Sequence, residues 1–267
     1  MTIHIMSYNL RVGGSDGSGP HPWVKRRPLM KKLLEGYTPD VLCTQEGTYR
    51  QLAGLEEDLL DYDWIGLGRE GGSKGEFMAV FFRKNKFRAV EFDHFWLSET
   101  PAEIGSLSWE SACPRMATWV LLEDRQSKKT FYVMNTHLDH IFVRAREEGA
   151  ALLLHTLNGF EEGVPVILTG DFNTHPGSRV YERFTGSGVL SDSLRTADAR
   201  KGIGLGTFND FTDDQGGGEE RRIDWVLVSE SWNVDRAEIV DIRVDGRFPS
   251  DHFPLYATIS LKKSWSG

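Results

Sequence analysis

Only two cysteines occur in 267 residues, so no disulfide framework can brace this chain, and Cys43 and Cys113 read as reduced thiols. No stretch approaches the ~18 apolar residues of a membrane span, so membrane insertion is not expected. Basic side chains are the minority, 31 against 39 acidic, for a net charge of −8. That balance disfavours indiscriminate attachment to nucleic acid or anionic lipid through a basic surface. It leaves room for an acidic enzyme that meets phosphate through a bound cation. The opening residues lack a basic n-region and an apolar h-region, which gives the expectation of a soluble, cytoplasmic protein. Neither a linker nor an internal sequence repeat is detectable, so residues 1–267 read as one domain. Oligomeric state leaves no mark in the sequence. What is present is ordinary globular composition, 39% hydrophobic and 26% charged, enough to bury roughly three quarters of the unfolded surface.

Hydrophobic periodicity predicts strands at Ile3–Leu10, Asp40–Glu46, Tyr62–Leu67, Phe77–Arg83 and Arg88–Leu97. Helices are expected over Trp23–Glu35, closed by Gly36, and over Tyr49–Leu60. The second half replays this order. A hairpin of Ala117–Glu123 and Thr130–His137 leads to a helix from Phe142 to Phe160, with Ala150, Leu153, Leu154 and Leu157 on one face. Then come an apolar strand at Pro165–Thr169, a short helix at Ser178–Phe184, and strands at Arg222–Val228, Asp235–Val244 and Leu255–Leu261. Two sheets facing each other, with helices outside, would bury this many strands. Gly202–Gly218 reads as the one loop long enough for a lid or binding loop.

Chemistry concentrates where these strands end. Asn9, Glu46, His137, Asp171 with Asn173, Asp224, and Asp251 with His252 all stand beside turns at the ends of apolar runs. Ligand sites in α/β sheets favour that edge. Carboxylates, amides and imidazoles gathered there suit a hard cation such as Mg2+, with Mn2+ a plausible substitute; zinc would ask for more Cys and His. Each residue alone has a bland reading: Asn9 a turn residue, Glu46-Gly47 a solvated strand exit, Asp171 to Asn173 an Asx turn. Asp224 is harder to dismiss, because an acid inside an apolar strand needs a partner.

Six blocks, Ser7-Tyr8-Asn9-Leu10, Thr44-Gln45-Glu46, Asn135-Thr136-His137-Leu138, Gly170-Asp171-Phe172-Asn173, Arg222-Ile223-Asp224-Trp225 and Ser250-Asp251-His252-Phe253-Pro254, occur in this order along nearly the whole chain. Together they resemble the endonuclease/exonuclease/phosphatase superfamily, and the wording of the third and sixth is nearest its deadenylase-like branch. The resemblance implies a DNase I-like four-layer α/β/β/α fold and a metal-dependent phosphoesterase. It implies that Glu46 is the main metal ligand, with Asn9 and Asp251 near the cation. It makes Asp171 the general base, Asn173 a donor to the attacking water or the phosphate, and His252 a phosphoryl-binding group oriented by Asp224. His137 would be its counterpart, oriented by Glu76, and Arg115 would grip phosphate or sit in a structural ion pair. Two imidazolium-capable rings, each kept charged by an adjacent acid, would then neutralise the phosphoryl oxygens.

The expected reaction is hydrolysis of a phosphodiester or phosphomonoester by in-line attack of water. The alternatives are a duplex-cutting endonuclease, a metal-independent carbohydrate hydrolase with a carboxylate pair, and a non-catalytic binding module. Residues 98–112 and 202–218 contain acids but neither Lys nor Arg. Long duplex DNA is therefore disfavoured against a nucleotide, single-stranded nucleic acid or sugar or lipid phosphate, against which Trp109, Phe208 or Phe211 would stack.

Overall fold

Alternation of side chains along the strands decides the architecture. In β1 (Thr2–Asn9), Ile3 and Ile5 enter one apolar cluster, whereas Met6 and Tyr8 enter another on the opposite face. The same split holds in β2 (Val41–Thr48), where Val41 and Cys43 face one way and Leu42 the other. Such strands are buried on both sides and need a layer on each.

The computed structural model describes residues 1–13, 19–186 and 188–263. Helix α1 (Trp23–Tyr37) joins β1 to β2, and α2 (Tyr49–Asp58), β3 (Tyr62–Ile65), β4 (Glu76–Arg83) and β5 (Phe87–Trp96) follow. Next come β6 (Met116–Asp124), β7 (Thr130–His137), α3 (Val143–Asn158), β8 (Val166–Asp171) and α4 (Arg179–Thr185). The chain closes with β9 (Leu190–Asp192), α5 (Ser193–Thr196), β10 (Ala199–Lys201), β11 (Asp224–Ser229), β12 (Trp232–Ile239) and β13 (Leu255–Leu261). One sheet has seven strands in the order β10-β12-β13-β1-β2-β4-β3, the other six in the order β5-β6-β7-β8-β11-β9. Each repeats one plan: a parallel pair joined through a helix (β1-β2, β7-β8), flanked by antiparallel neighbours.

Three clusters hold the layers together. Between the sheets lie Ile3, Ile5, Val41 and Val80 from one and Val120, Val133, Ile167 and Val226 from the other. Outside the first sheet, Met30, Leu33 and Leu34 of α1 and Leu52 and Leu55 of α2 cover Met6, Tyr8 and Phe81. Outside the second, Ala150, Leu153 and Leu157 of α3, with Val180, Tyr181 and Phe184 of α4, cover Met134, Leu168 and Trp225. The fold is thus the helix-flanked two-sheet sandwich of the DNase I class. A fully buried Leu or Val contributes about 1.5–3 kcal/mol and a net hydrogen bond about 1 kcal/mol. The apolar half therefore carries the stability and leaves the polar rim free for chemistry.

Several local expectations need correction. Helix α1 passes through Gly36 and stops where Thr38 turns left-handed (φ 44°) before Pro39, a position barred from the helical region. Strand β12 covers residues 232–239 instead of 235–244, and the short β9, α5 and β10 carried too little periodicity to read. Residues 97–115 form a second long segment without helix or strand, held by its own contacts such as Ser98 Oγ to Ser106 Oγ at 2.6 Å.

Gly170 stands opposite Thr136 on β7, one residue before Asp171. A Cβ built there would meet the Thr136 carbonyl oxygen at 2.3 Å, so only glycine lets β7 and β8 pair at the site. Gly170→Ala should cost more than about 2 kcal/mol in urea unfolding. A loss within about 0.5 kcal/mol would show that the two strands can part without penalty.

Candidate active site

The inward faces of the strands turn from apolar to polar at the same end of the sandwich. Residues 3 and 5 of β1 are isoleucines, and the next two inward positions are Ser7 and Asn9. On β7 the inward series is Phe131, Val133, Asn135, His137; on β8, Ile167, Thr169, Asp171; on β11, read backwards, Val228, Val226, Asp224. Register does the rest: Asp171 lies opposite His137 on one neighbour and opposite Asp224 on the other. Glu46 needs a further device. Strand β2 is bulged against β4 between Thr44 and Gly47, and Glu46 takes a left-handed φ of 60°, which turns its carboxylate away from the α1/α2 side toward Asn9.

These residues meet in a cavity of about 590 Å³ lined by Glu46, Glu76, Arg115, His137, Asp171, Asn173, Asp251 and His252, together with Arg11, Arg69, His140, Phe208 and Arg221. Asn9 Nδ2 bridges the sheets, donating to Glu46 Oε1 at 3.0 Å and to Asp171 Oδ2 at 2.9 Å. The other Glu46 oxygen accepts the Val12 N–H at 2.8 Å. Burial opposes the Glu46 charge, but His252, Asn9 and Val12 outweigh it and hold the carboxyl below its usual range. Asp171 accepts the Asn173 N–H at 2.9 Å, and Asn173, left-handed at φ 50°, donates its side-chain amide to the Leu138 carbonyl at 3.0 Å. Burial, reinforced by Asp224, raises Asp171 to about 7.

His252 lies between two acids. Its Nδ1 is 2.8 Å from Asp224 Oδ2, and its Nε2 is 3.8 Å from Asp171 Oδ2. Burial works against the ring's charge, yet Asp224 above all, with Asp171 and Asp251, carries it up to about 10. Asp251 is buried beside Arg11 at 3.5 Å, and burial, with Glu46, raises its carboxyl.

Two expectations about the second histidine fail. His137 Nε2 is 3.4 Å from Asp171 Oδ2, but its Nδ1 has no partner. Glu76 is instead held by Arg69 Nη1 at 2.7 Å, because that guanidinium offers the acid a full charge. Burial first, then Arg115 and His252, push His137 well below its ordinary range. One imidazolium, not two, serves the cavity near neutral pH. Among the described residues Arg115 has no ion-pair partner either; its Nη2 donates to His140 Nδ1 at 2.9 Å.

The loop at 202–218 is framework as much as binding surface. Thr207 Oγ1 accepts the Asp224 N–H at 3.1 Å, and the Asp251 carbonyl accepts the Asn209 N–H at 2.7 Å. Of the three aromatics expected to stack on substrate, Phe208 lines the cavity, edge-on to His252 at 5.1 Å. Phe211 stacks on His21 elsewhere, and Trp109 is not among the lining residues. Four arginines line the cavity from outside the two acidic loops, so its charge is not that of the loops.

Two further side chains, outside the strand-end set, hold the site together. Asn135 spans the sheets, donating to the Thr44 and Ala79 carbonyls at 2.8 and 3.0 Å and accepting from Gln45 Nε2 at 2.7 Å. Arg26, 3% exposed, ties the Leu10, Arg11, His21 and Pro249 carbonyls together. The sequence held a signal for each: Asn135 continues the inward parity of Phe131 and Val133, and Arg26 shares the helical face of Leu29, Met30 and Leu33.

The chain belongs to the Endonuclease/Exonuclease/phosphatase family, a family of hydrolases, whose sequence model matches residues 6–252. Among solved structures it is 35% identical to an endonuclease/exonuclease/phosphatase family protein from Bacteroides thetaiotaomicron, covering 98% of each chain at a TM-score of 0.91. It is 37% identical to a mannosyl-6-phosphatase of the same organism, covering 97% of this chain and 99% of that one at a TM-score of 0.88. Human Nocturnin is 26% identical across 92% of this chain, which spans 60% of that protein's length.

The raised pKa of His252 fixes the sign of a pH effect. A base charged in the folded state contributes stability that is complete below 6.5 and lost as pH rises through about 10. In chelator-treated protein, Asp224→Asn should be most destabilising at pH 6.5 and just below, and converge on wild type as pH approaches about 10. Parallel stability curves across that window would show that the two side chains do not titrate together.

Proposed function

We propose that this protein is a divalent-metal-dependent phosphoesterase that hydrolyses a phosphoester of a small or single-stranded substrate by attack of water. The observation behind this reading is the convergence of Glu46, Asp251, Asp171 and the Asp224–His252 pair in one cavity. Glu46, His137 and Asp171 bring ligand-capable atoms within 4.8 Å of one another. Burial above all, with Asp224 beside Asp171 and Glu46 beside Asp251, holds both carboxyls above the ordinary range, and a bound cation would favour their charged forms. The donor set fits Mg2+, with Mn2+ acceptable: Glu46 and Asp251 would hold it, and Asn9 stands beside them. Such an ion, when bound, supplies Lewis-acid neutralisation of the phosphoryl group.

The chain's own residues supply the remaining chemistry. Asp171, poised near 7, takes a proton from the attacking water, since a base is most effective when its pKa matches the working pH. His252 is charged and donates from Nε2 to a phosphoryl oxygen, while Asp224 holds Nδ1–H and fixes the tautomer. Neutral His137 serves as a hydrogen-bonding group, and Asn173 fixes the Asp171 carboxylate through its backbone N–H. A cavity of about 590 Å³ suits a small molecule. The four arginines, and the likeness to a mannosyl-6-phosphatase, favour a phosphomonoester alongside the diester. A single catalytic domain in the cytoplasm completes the reading; no helix among the described residues is long and apolar enough to cross a membrane.

A panel of sugar phosphates, nucleotides, short single-stranded oligonucleotides and plasmid DNA, with EDTA and with Mg2+ restored, tests the proposal. Turnover should require the metal and disappear in Glu46→Ala. Asp171→Asn should lower kcat by about 10²- to 10⁴-fold with little change in KM. Activity indifferent to EDTA would favour a carboxylate-pair glycosidase instead. A preference for plasmid above about tenfold would favour a duplex-cutting enzyme.

A further inference from the structure

A second group of side chains in the cavity stands apart from the first. Among the described residues, Arg69, Arg115 and His140 make no hydrogen bond or ion pair with Glu46, Asp171, Asp251 or His252. Arg115 is 4% exposed, yet its Nε and Nη1 have no partner. Arg69 gives Nη1 to Glu76, and its buried Nε is equally unanswered. His140 Nδ1 takes the Arg115 Nη2 hydrogen at 2.9 Å, which places the ring proton of the neutral imidazole on Nε2 as another donor. Every unanswered polar atom in this group is thus a donor. Buried donors are ordinarily satisfied within the protein, and a guanidinium fork matches paired oxygen atoms.

The group is also held in place before any ligand arrives. Asp139 Oδ1 accepts the Ile141 and Phe142 N–H groups at 2.8 and 2.7 Å. Its Oδ2 accepts the Ala112 N–H at 2.8 Å and Ser111 Oγ at 3.0 Å. The turn that carries His140 is thereby fastened to the segment that leads into Arg115. A cavity of this size accommodates more than one phosphoryl group.

We propose that Arg69, Arg115 and His140 form a pocket for a second oxyanion of the substrate, a phosphate or carboxylate beside the phosphoester that is cut. The proposal rests on the phosphoesterase reading for what is cut, whereas the binding of an anion does not. The preferred substrates are then small molecules with two anionic groups.

EDTA-treated protein titrated calorimetrically with inorganic phosphate and with citrate tests the pocket without turnover, and the two arms separate a phosphate site from a carboxylate site. Whichever anion binds should lose at least about tenfold in affinity in Arg115→Met, and about threefold or more in His140→Gln. His140 is exposed, so H140Q retains the test should R115M fail to fold. With Mg2+, wild type should favour a hexose 1,6-bisphosphate over the hexose 6-phosphate by about tenfold in kcat/KM. Both variants should erase that preference through KM. Anion affinities within about twofold of wild type in both variants, or equal losses on the two sugars, would overturn the second pocket. Absence of turnover on either sugar would count against the phosphoesterase reading alone, with the anion titrations still deciding the pocket.

Discussion

Everything at the active rim is referred to the Asn135 amide. It reaches from β7 across the sandwich to the Thr44 and Ala79 carbonyls, and it receives Gln45 in return. These are buried polar contacts at the level where the dry core ends, so breaking one leaves a donor or acceptor without water, at about 1–3 kcal/mol each. The sheets therefore keep a fixed spacing just beneath the site. One step farther out, Asn9 can touch Asp171 across the same gap. A drift of even an ångström between the layers would separate Glu46 and Asp171, which belong to different sheets.

Electrostatics in the site follows from what each charged group is given as a neighbour. His252 has Asp224 on one nitrogen and Asp171 beyond the other, and it stays cationic despite complete burial. His137 is equally buried and also has Asp171 at 3.4 Å, but burial, with the charges of Arg115 and His252 added to it, keeps it neutral. The same ring, at the same depth, thus has opposite charge states because of its partners. Asp171 feels both tendencies: burial and Asp224 raise it, while His252 and two hydrogen bonds restrain it.

Rigidity around the cavity comes from loops that are tied down instead of free. Arg26 fastens the segment after β1 to Pro249, and Ser250 Oγ reaches back to the Asn9 carbonyl at 2.7 Å. The long loop expected to behave as a lid delivers Thr207 and Asn209, both fully buried, beneath Asp224 and Asp251. Its glycines serve close backbone approach as well as turning: a Cβ at Gly206 would meet the Gly216 carbonyl oxygen at 1.9 Å. Preorganisation of this kind lets a site stabilise developing charge without reorganising during the reaction.

Strand alternation is a local property, and it was legible in the sequence. The parity that puts Ile3, Val133 and Ile167 between the sheets also carries Asn9, His137 and Asp171 to the same face, so the chemistry at the strand ends could be read from residue order alone. The helical faces of α1 and α3 were readable for the same reason. Pairings between distant residues were not. Residue order does not tell Glu76 to prefer Arg69, seven residues back across a loop, over His137, and nothing near Arg115 points to His140. The bulge that turns Glu46 depends on how β4 registers against β2. The four arginines that stand among the cavity's acids come from segments far apart in an otherwise acidic chain. Such choices are made by register and by which charge is nearest in space, and these exist only once the sheets have packed.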